Sequence, residues 1–514
     1  MKKFIYLLAV VFLNCGLRAQ TSWTNFYSGP VQGDDTVTAL AADASDNVYA
    51  AGQSAGASNS LDYATVKFSP SGTMLWSARY AGAPGFKAKP TAIGVDSSAN
   101  VFVTGYAQHN GSGSDFVTIK YSTAGAPLWT NIYNGPGNGT DEAYALAVDS
   151  GNNVYVAGTV TNTGGVSNLG LIKYSNSGSV LWTVLFNRFG TNGSSGLALQ
   201  LDPGGNAIVS GYTMDNSFND YILTVKFSSA GTPIWTNLCY NPFAYNDVPA
   251  AFLAVDINSN VIVSGYSYSV ATMDDFVTLK YSGAGAPVWT NRYDDATHAN
   301  DYPAGVAVDR AGNAYVTGPV TIKYSSAGTP VWTNKYDVSD GVANAIAVDS
   351  HNNVVVTGYS YDDDGFADFL TLEYSGTGSM VVSNRYSQAS NDDDEYVYAL
   401  ALDNRDDAIV GGLGSIFTFS PPLSDFVVID YAAAATAPYF SLLTAPGSGF
   451  GFSNKLFGFS LSGPAGSNAV VQYSTNLTTW VPLKTNNLGL GVTNFSDPQS
   501  ATNRRRFYRA LLTP

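Results

Sequence analysis

The sequence predicts an all-β fold: an eight-bladed β-propeller closed by an N-terminal strand and followed by a small β-sandwich domain. Three observations predict it. One motif recurs eight times, each recurrence contains four strand-like segments, and the last recurrence lacks a strand that the first residues supply. The composition agrees, because only 12% of residues are charged, glycine and tyrosine abound, and long amphipathic helical patterns are absent.

The recurring motif reads AVDSGNNVYVAG in its third copy. Its aspartate stands at Asp43, Asp96, Asp149, Asp202, Asp256, Asp309, Asp349 and Asp403. Successive aspartates are 53 or 54 residues apart, except for one spacing of 40 between Asp309 and Asp349. A tryptophan keeps the same period at Trp23, Trp76, Trp129, Trp182, Trp235, Trp289 and Trp332. A fixed period of this length indicates a repeat architecture.

The third repeat shows the four predicted strands, which we name a to d in chain order. They are YALAVD (144–149), NVYVAG (153–158), LGLIKYS (169–175) and VLWTVLF (180–186). Short links rich in Asp, Ser, Gly and Asn join a to b and c to d, as expected for tight turns. Four short strands per repeat are typical of a propeller blade. A parallel β-helix needs shorter coils, and helical solenoids need helices.

The two ends of the repeat region complement each other. The eighth repeat offers strands a, b and c, and AAAATAP follows where strand d is expected. The segment TSWTNFYSGP (21–30) reads as a strand d with nothing before it, and Trp23 precedes Asp43 by the same 20 residues that separate Trp76 from Asp96. We therefore expect SWTNFY to pair with strand c of the eighth repeat. Such closure hides two sheet edges.

The repeats resemble a known family. The segment VDSSANVFVTGYAQHNGSGSDFVTIKYSTAGAPLW (95–129) resembles the SBBP β-propeller repeat of exported bacterial proteins, and the resemblance covers roughly residues 21–435. It implies a propeller fold and no particular activity. The family name implies seven blades, whereas the repeat count predicts eight. The spacing of glycine and tryptophan also faintly resembles the docking motifs of quinoprotein dehydrogenases, without their cofactor-site residues.

The N-terminus predicts export. Lys2 and Lys3 precede the apolar run FIYLLAVVFL, and LRA ends at Ala19, so residues 1–19 read as a signal peptide. We expect a monomer that is secreted or held at the cell surface or in the periplasm, without membrane insertion. The net charge of −15 makes nucleic acid a poor partner. Once Cys15 is removed, Cys239 is the remaining cysteine, and we expect a buried free thiol.

The C-terminal region departs from the repeat. Residues 21–431 are the predicted propeller, residues 432–438 a small-residue linker, and residues 439–514 a β-sandwich module with alternating strand patterns. This module resembles the terminal pattern QxSTxLxxWxxL…FYRA of many secreted bacterial proteins, which implies attachment. Its arginines are either a solvated final strand or a docking spot: Arg504, Arg505, Arg506 and Arg509.

Function is expected where the blades differ, in the b–c and d–a connections, which share one face of a propeller. The sixth repeat has lost about ten residues of its b–c loop, which predicts a notch. Acidic runs lie near this notch in sequence: DDATHAND (294–301), SYDDDGFAD (360–368) and NDDDE (391–395). Residues present in every blade are expected to be structural. Thus the a–b aspartates should cap turns, the tryptophans should fill space between blades, and the strand-c lysines should be solvated.

The second acidic run predicts a calcium site. Ser360, Asp362, Asp364 and Asp368 alternate around Gly365 as in a calcium loop, and Asp392 and Asp394 could assist. Thr371 stands at the twelfth place, where a bidentate acid is expected, so the full EF-hand pattern fails. Asp368 also matches Asp115 and Asp275 of other repeats, which favours a structural role.

Three functions remain open from the sequence. The first is a secreted binding or scaffold protein that holds a glycan or protein ligand on the loop-rich face. The second is a carbohydrate-active hydrolase or lyase using carboxylates on that face. The third is a quinoprotein-like oxidoreductase. None of the three histidines, His109, His298 and His351, lies in a catalytic or metal-ligand spacing, so catalytic residues are unassigned and catalysis is the weaker expectation.

Overall fold

The structure is a computed structural model. It describes residues 21–433 apart from 58–59, 84, 110, 191, 242–251, 270, 296–297, 299, 337–340, 363, 388–393 and 417–422, and the strands within residues 434–514. The chain divides into two compact units, Arg18–Ala433 and a second that contains Ala434–Pro514. In the described part of the chain, no helix has the length and apolar character needed to cross a membrane.

The first unit consists of four-stranded antiparallel sheets. Blades 1 and 2 contain β2 (Thr36–Ala42), β3 (Val48–Ala55), β4 (Leu61–Phe68), β5 (Met74–Tyr80), β6 (Ala88–Val95), β7 (Val101–His109), β8 (Gly113–Tyr121) and β9 (Pro127–Tyr133). Blades 3 and 4 contain β10 (Glu142–Val148), β11 (Val154–Thr161), β12 (Ser167–Tyr174), β13 (Val180–Phe186), β14 (Ser194–Leu201), β15 (Ala207–Met214), β16 (Asp220–Phe227) and β17 (Pro233–Asn241).

The second half of the ring follows the same plan. Blades 5 and 6 contain β18 (Phe252–Val255), β19 (Val261–Ser269), β20 (Met273–Tyr281), β21 (Pro287–Tyr293), β22 (Gly305–Val308), β23 (Ala314–Thr317), β24 (Val320–Tyr324) and β25 (Pro330–Lys335). Blades 7 and 8 contain β26 (Val342–Val348), β27 (Val354–Tyr361), β28 (Ala367–Tyr374), β29 (Met380–Tyr386), β30 (Tyr396–Leu402), β31 (Ala408–Ile416), β32 (Leu423–Tyr431) and β1 (Thr21–Tyr27).

The eight sheets form a closed ring. Each strand a contacts strand a of both neighbouring blades, from β2 through β6 and onward to β30, which contacts β2 again. A buried hydrophobic cluster lies at each of the eight junctions between adjacent blades. The count of eight blades predicted from the repeats is therefore confirmed.

The predicted closure is also confirmed. Strand β1 pairs antiparallel with β32, with Trp23 opposite Asp430 and Tyr27 opposite Phe426. Trp23 and Tyr27 belong to the same buried cluster as Phe68 and Val66 of blade 1. The first and last strands of the ring therefore join through both a hydrogen-bonded ladder and a shared core.

The a–b turns explain the repeated aspartates. In the first turn Asp43 Oδ1 accepts hydrogen bonds from the backbone N–H of Ser45 (2.8 Å) and Asn47 (3.0 Å). The fourth residue of each turn has a positive φ, which costs energy for any residue with a side chain. These residues are Asp46, Ala99, Asn152, Gly205, Ser259, Gly312, Asn352 and Asp406. The predicted capping role of the aspartates is confirmed.

The repeat tryptophans dock on the next blade. From blade 2, Trp129 Nε1 donates to Asn176 O (3.1 Å) and Asn131 Nδ2 donates to Gly178 O (2.8 Å). Both acceptors lie in the c–d turn of blade 3. Gly178 has a φ of +88°, and a Cβ there would lie 2.8 Å from Trp129 Cγ. The other six indole N–H groups donate to Pro70, Thr123, Ser229, Gly283, Ser326 and Gly376. The tryptophans thus hold the blades together, as predicted.

The expectation of solvated strand-c lysines is wrong. Lys120 is 2% exposed and its Nζ lies 3.0 Å from Asp96 Oδ2. The register places the end of strand c beside the a–b turn, so the lysine meets the capping aspartate of its own blade. Five blades form this ion pair: Lys67–Asp43, Lys120–Asp96, Lys173–Asp149, Lys226–Asp202 and Lys280–Asp256.

Two further predictions concern the b–c loop of the sixth blade and the burial of Cys239. The short strands β23 and β24 are joined through Gly318 and Pro319, so the sixth blade lacks the b–c loop, as predicted. Cys239 is free, but it is half-buried in strand β17 rather than buried. Strand β17 is the outermost strand of its sheet, which leaves one side of the cysteine uncovered.

The described strands of the second unit form two sheets. One consists of β33 (Ser441–Leu443), β34 (Gly451–Ser453), β35 (Leu456–Ser462) and β38 (Val492–Asp497). The other consists of β36 (Asn468–Ser474), β37 (Val481–Asn487) and β39 (Phe507–Thr513). The packing of these sheets as a β-sandwich and the role of residues 432–438 as a linker stay predictions, and Arg504, Arg505 and Arg506 lie outside the described residues.

Candidate functional site

Carboxylates recur on the face formed by the b–c and d–a connections. Five blades have an aspartate at the same register position near the start of strand c: Asp62, Asp115, Asp275, Asp368 and Asp425. In four of them a second acid arrives from the d–a connection, and its backbone N–H donates to a carbonyl beside the first, at 2.6 to 2.7 Å. The resulting pairs are Asp425 with Asp35, Asp115 with Asp141, Asp275 with Asp301, and Asp368 with Glu395.

Three of these pairs lie beside a basic side chain of the protein. Arg385 Nη1 is 2.8 Å from Asp368 Oδ2. His109 Nδ1 is 3.0 Å from Asp115 Oδ2. At the ring closure, the positive charge of Arg79 partly offsets the burial that raises the pKa of Asp35. A buried carboxylate pair is costly without such compensation.

The pair in blade 5 is different because a third carboxylate joins it. Asp275, Asp294 and Asp301 bring one carboxylate oxygen each to within 4.8 Å of the others. We call these three residues the blade-5 carboxylate cluster. Asp275 is 4% exposed and Asp301 is 3% exposed, whereas the side chain of Asp294 is 24% exposed. The cluster is therefore reached from solvent on its Asp294 side.

Each cluster carboxylate makes one hydrogen bond that holds it in place. Asp275 Oδ2 accepts from Thr272 Oγ1 (2.7 Å), and Asp301 Oδ2 accepts from the backbone N–H of Asp295 (2.8 Å). Asp294 Oδ2 lies 2.7 Å from His298 Nδ1. The second oxygens of Asp275 and Asp294 are buried and have no hydrogen-bond partner among the described residues. Two inward oxygens thus remain available for a ligand.

The electrostatics of the cluster are unfavourable for three negative charges. Burial raises the pKa of Asp275, and the nearby Asp294 raises it further. Burial also raises the pKa of Asp301, with smaller contributions from Asp295, Asp294 and Asp275. Arg292 occupies the strand-d position that holds Arg385 in blade 7, but it is exposed and forms no ion pair with these described carboxylates, and its charge lowers the pKa of Asp275 without overcoming the effect of burial.

The structure places the sequence-predicted calcium residues apart. Asp362 Oδ1 caps its own turn by accepting from the backbone N–H of Asp364 and Phe366, both at 2.9 Å, and Asp364 is exposed. Ser360 and Asp368 instead both contact Arg385. The turn at Asp362 matches the b–c turns at Asn162 and Asp215, where the first side chain caps in the same way.

Two residues outside that loop, Asp392 and Asp394, are predicted to assist calcium binding. Asp394 Oδ1 accepts from the backbone N–H of Ala367 (2.9 Å), which ties it to the start of strand β28. Asp392 lies outside the described residues. The structure thus gathers Ser360, Asp368 and Asp394 near the start of β28 and leaves Asp362 and Asp364 in the turn. The calcium site at residues 360–368 stays a prediction.

Sequence reasoning noticed the run 294–301 but did not connect it with Asp275. The signal was present, because strand d ends where strand c begins in an antiparallel pair. In blade 5 Phe276 is opposite Tyr293, so Asp275 and Asp294 are both one residue beyond that pair. A register argument would therefore have predicted the contact.

A second acidic group lies on the opposite face, among the a–b turns. Asp349, His351 and Asp406 approach one another there. Asp349 accepts from the backbone N–H of His351 and from Asn353, and Asp406 accepts from Ser350. His351 Nδ1 lies 3.0 Å from Asp406 Oδ2. These carboxylates are already hydrogen-bonded, so this group resembles a turn-to-turn contact between blades 7 and 8 more than a binding site.

Exposed aromatic rings lie on the face of the carboxylate pairs in blades 4 and 5. Tyr221 packs against Phe189 (5.6 Å between ring centroids) and Tyr240 (5.3 Å), and Tyr240 is 47% exposed. In blade 5 Tyr302 is 39% exposed, packs edge-on against Tyr266, and donates its hydroxyl to Asp274 (3.0 Å). Flat apolar rings beside polar acceptors suit recognition of a ligand with both kinds of surface.

A comparison with protein-family models finds a match to two segments of the propeller. The family model of the SBBP β-propeller repeat matches residues 76–111 and 289–318. These two segments are therefore similar to the SBBP repeat, as the sequence resemblance implied, and both lie within the eight-bladed ring. No curated protein matches the chain.

Several solved structures are distantly similar. A protein of unknown function from Bacteroides caccae has 12% identity and a TM-score of 0.33, covering 55% of this chain and 94% of its own. The β-propeller domain of the Trilobed protease from Pyrococcus furiosus has 7% identity and a TM-score of 0.40, covering 70% and 99%. A eukaryotic initiation factor has 8% identity and a TM-score of 0.41, covering 93% of each chain. Similarities this low carry no functional argument.

Proposed function

We propose that this protein is a secreted binding or scaffold protein that holds a glycan or protein ligand on the face formed by its b–c and d–a connections. The C-terminal unit then serves as an attachment module. The observation that carries the proposal is the contrast between the two faces. The a–b and c–d turns repeat the same capping and docking contacts from blade to blade, whereas the other connections differ and expose aromatic rings.

The aromatic surface of blade 4 is the best-defined part of this face. Tyr240 and Phe218 are 47% and 71% exposed, and Tyr240 stands beside Tyr221 and Phe189. Arg188 lies over the ring of Phe189 at 5.8 Å and adds a hydrogen-bond donor. Exposed aromatic side chains with few rotatable bonds lose little entropy when they bind, which favours a ligand-binding role.

The alternative, a hydrolase or lyase acting on carbohydrate, needs two carboxyl groups that reach the substrate. The carboxylate pairs of this face have at least one member that is 4% exposed or less, since Asp35, Asp141, Asp301 and Glu395 are all buried. A sugar ring has no access to such a group. Among the described residues, therefore, the acidic pairs favour a structural or ion-binding role over acid–base catalysis.

The test is a glycan and peptide array probed with the purified protein. The parent should bind a defined subset of ligands, and Tyr240→Ala with Phe218→Ala should weaken that binding. Ile234→Ala is the matched control, because Ile234 is 53% exposed on the same strand as Tyr240 but near its other end. Binding that is equally weakened by the control variant, or turnover of an arrayed glycan, would contradict the proposal.

A further inference from the structure

We propose that the blade-5 carboxylate cluster, Asp275, Asp294 and Asp301, binds a hard divalent cation, Ca²⁺. The site lies in a different blade from the acidic loop at residues 360–368. It does not rest on the proposed ligand-binding function, because the ion would be held whether or not a ligand occupies the face.

The geometry of the oxygens fits one shared ion. Ca²⁺ binds about six to eight oxygens at roughly 2.3–2.6 Å, so two oxygens on opposite sides of the ion are about 5 Å apart. The three carboxylates place one oxygen each within 4.8 Å of the others. Three side-chain oxygens leave the remaining positions to water and main-chain carbonyls, which Ca²⁺ accepts readily.

The second observation is the pair of unsatisfied buried oxygens. Asp275 is 4% exposed and one of its oxygens has no hydrogen-bond partner in the described structure, and the same holds for one oxygen of Asp294. A buried polar atom without a partner is uncommon because it loses the hydrogen bonds that it makes to water, and the loss is greater when the atom is charged. The other oxygen of each residue is held by Thr272 or His298, so the unpartnered oxygens are the ones left to bind a ligand.

The other blades provide an internal comparison. Where Asp368 occupies the position of Asp275, the protein supplies Arg385 as the neighbouring cation, and beside Asp115 it places the imidazole of His109, with Nδ1 at 3.0 Å. Blade 5 has a third carboxylate instead, and its Arg292 makes no ion pair with the described members of the cluster. The described basic groups near the blade-5 cluster are the exposed His298, 2.7 Å from Asp294, and the exposed Arg292, whose charge acts on Asp275 without an ion pair. Three carboxylates therefore meet where blade 7 has two acids and a bound arginine, and an external cation would supply the missing positive charge.

A bound ion would also order the adjacent ligand face. Asp301 accepts from the backbone N–H of Asp295, and its own N–H donates to Asp274 O at 2.6 Å, so the d–a connection 294–301 is tied to strand β20 through the cluster. Tyr302 follows directly and donates to the side chain of Asp274 (3.0 Å). Neutralising the cluster would therefore hold Tyr302 in place.

The test is calcium titration by isothermal calorimetry at pH 7.5, together with thermal melts in chelator and in millimolar calcium. The parent should bind one Ca²⁺ at this site and melt at a higher temperature when calcium is present. Asp294→Asn, at the partly exposed edge of the cluster, should raise the dissociation constant by about tenfold or more and remove most of the shift. In chelator the same variant should melt no lower than the parent, because it removes like-charge repulsion. Asp275→Asn is the second variant, with the same expected loss of binding.

The matched control is Asp362→Asn with Asp364→Asn, which removes two acidic charges from the same face in blade 7. It should bind calcium like the parent. The proposal is overturned if the parent neither binds calcium nor shifts its melt, which would mean that protons alone neutralise the cluster. It is equally overturned if Asp294→Asn binds as tightly as the parent, or if the control variant loses the ion, which would place it at residues 360–368.

Discussion

At the scale of single residues, Asp430 reverses the charge of a repeated position. Five blades place a strand-c lysine against the a–b aspartate, whereas blade 8 has Asp430, which is 1% exposed and lies opposite Trp23 in the closing strand pair. Arg405 supplies the missing positive charge from the turn, with Nη2 2.7 Å from Asp403 and 3.7 Å from Asp430. Burial, together with Asp407, raises the pKa of Asp430 to about 7.

This raised pKa predicts a specific pH dependence of the closure. The folded protein holds the Asp430 proton up to about pH 7, whereas the unfolded chain releases it near pH 4, so this residue's contribution to stability falls as pH rises from about 4 through 7. Asp430→Asn removes that loss. At each pH we compare the free energy of unfolding of the variant with that of the parent. The advantage of the variant should be on the order of 2–4 kcal/mol larger at pH 8 than at pH 4.5. Denaturant unfolding at both pH values measures it, and a difference that does not change with pH would contradict it.

At the scale of elements, the tryptophan–glycine contact joins each blade to the next. The contact is missing between blades 7 and 8. Blade 8 has no c–d turn to receive a tryptophan, because its strand d is β1, and blade 7 has Val382 at the tryptophan position. Glu373 of blade 7 likewise replaces the lysine that in other blades reaches toward the next c–d turn, as Lys323 does when it donates to Gly376 O (2.7 Å). These substitutions follow from the way the ring closes.

The contact can be tested with a pair of glycines that share a backbone conformation. Gly178 and Gly165 both have positive φ, +88° and +75°, but a Cβ at Gly178 would lie 2.8 Å from Trp129, whereas one at Gly165 meets nothing within 4 Å. Gly165→Ala should cost about 1–2 kcal/mol for the backbone alone. Gly178→Ala should cost about 1–3 kcal/mol more, because the indole must move. Unfolding in urea compares them, and equal losses of stability would show that the docking contact contributes nothing.

At the scale of the whole molecule, the closing strand contributes both to the sheet of blade 8 and to the core between blades 8 and 1. Strand β1 pairs with β32 and also supplies Trp23 and Tyr27 to the core between blades 8 and 1. Its loss exposes the edge of β32 and one face of that core. An exposed sheet edge is a template for pairing with another chain.

Deleting residues 21–27 should therefore lower the melting temperature and produce oligomers or aggregates. Trp23→Ala, which keeps the ladder but removes a ring that is 9% exposed, should cost about 3–5 kcal/mol without changing the oligomeric state. Size-exclusion chromatography and thermal melts separate the two effects. A deletion variant with the parent's melting temperature and elution volume would show that β1 does not close the ring.

The sequence alone determined the propeller, its eight blades, the closing strand and the capping role of the repeated aspartates. These features depend on contacts within a repeat or between neighbouring repeats, so they recur with a constant period and can be counted. The same repeats led to a wrong prediction for the strand-c lysines. A lysine at a strand end is expected to be solvated, but the strand register places Lys120 beside Asp96 and Lys226 beside Asp202.

Only the tertiary structure decided where the acidic groups meet. The loop 360–368 has a calcium-like spacing, yet its Asp362 caps a turn and its Asp368 contacts Arg385. Asp275, Asp294 and Asp301 have no motif spacing, but the antiparallel pairing of β20 with β21 and the return of the d–a connection bring them within 4.8 Å. A site formed by departures from the repeat carries no period of its own. Its geometry comes from strand register and from burial, which set both the distances and the charges that remain uncompensated.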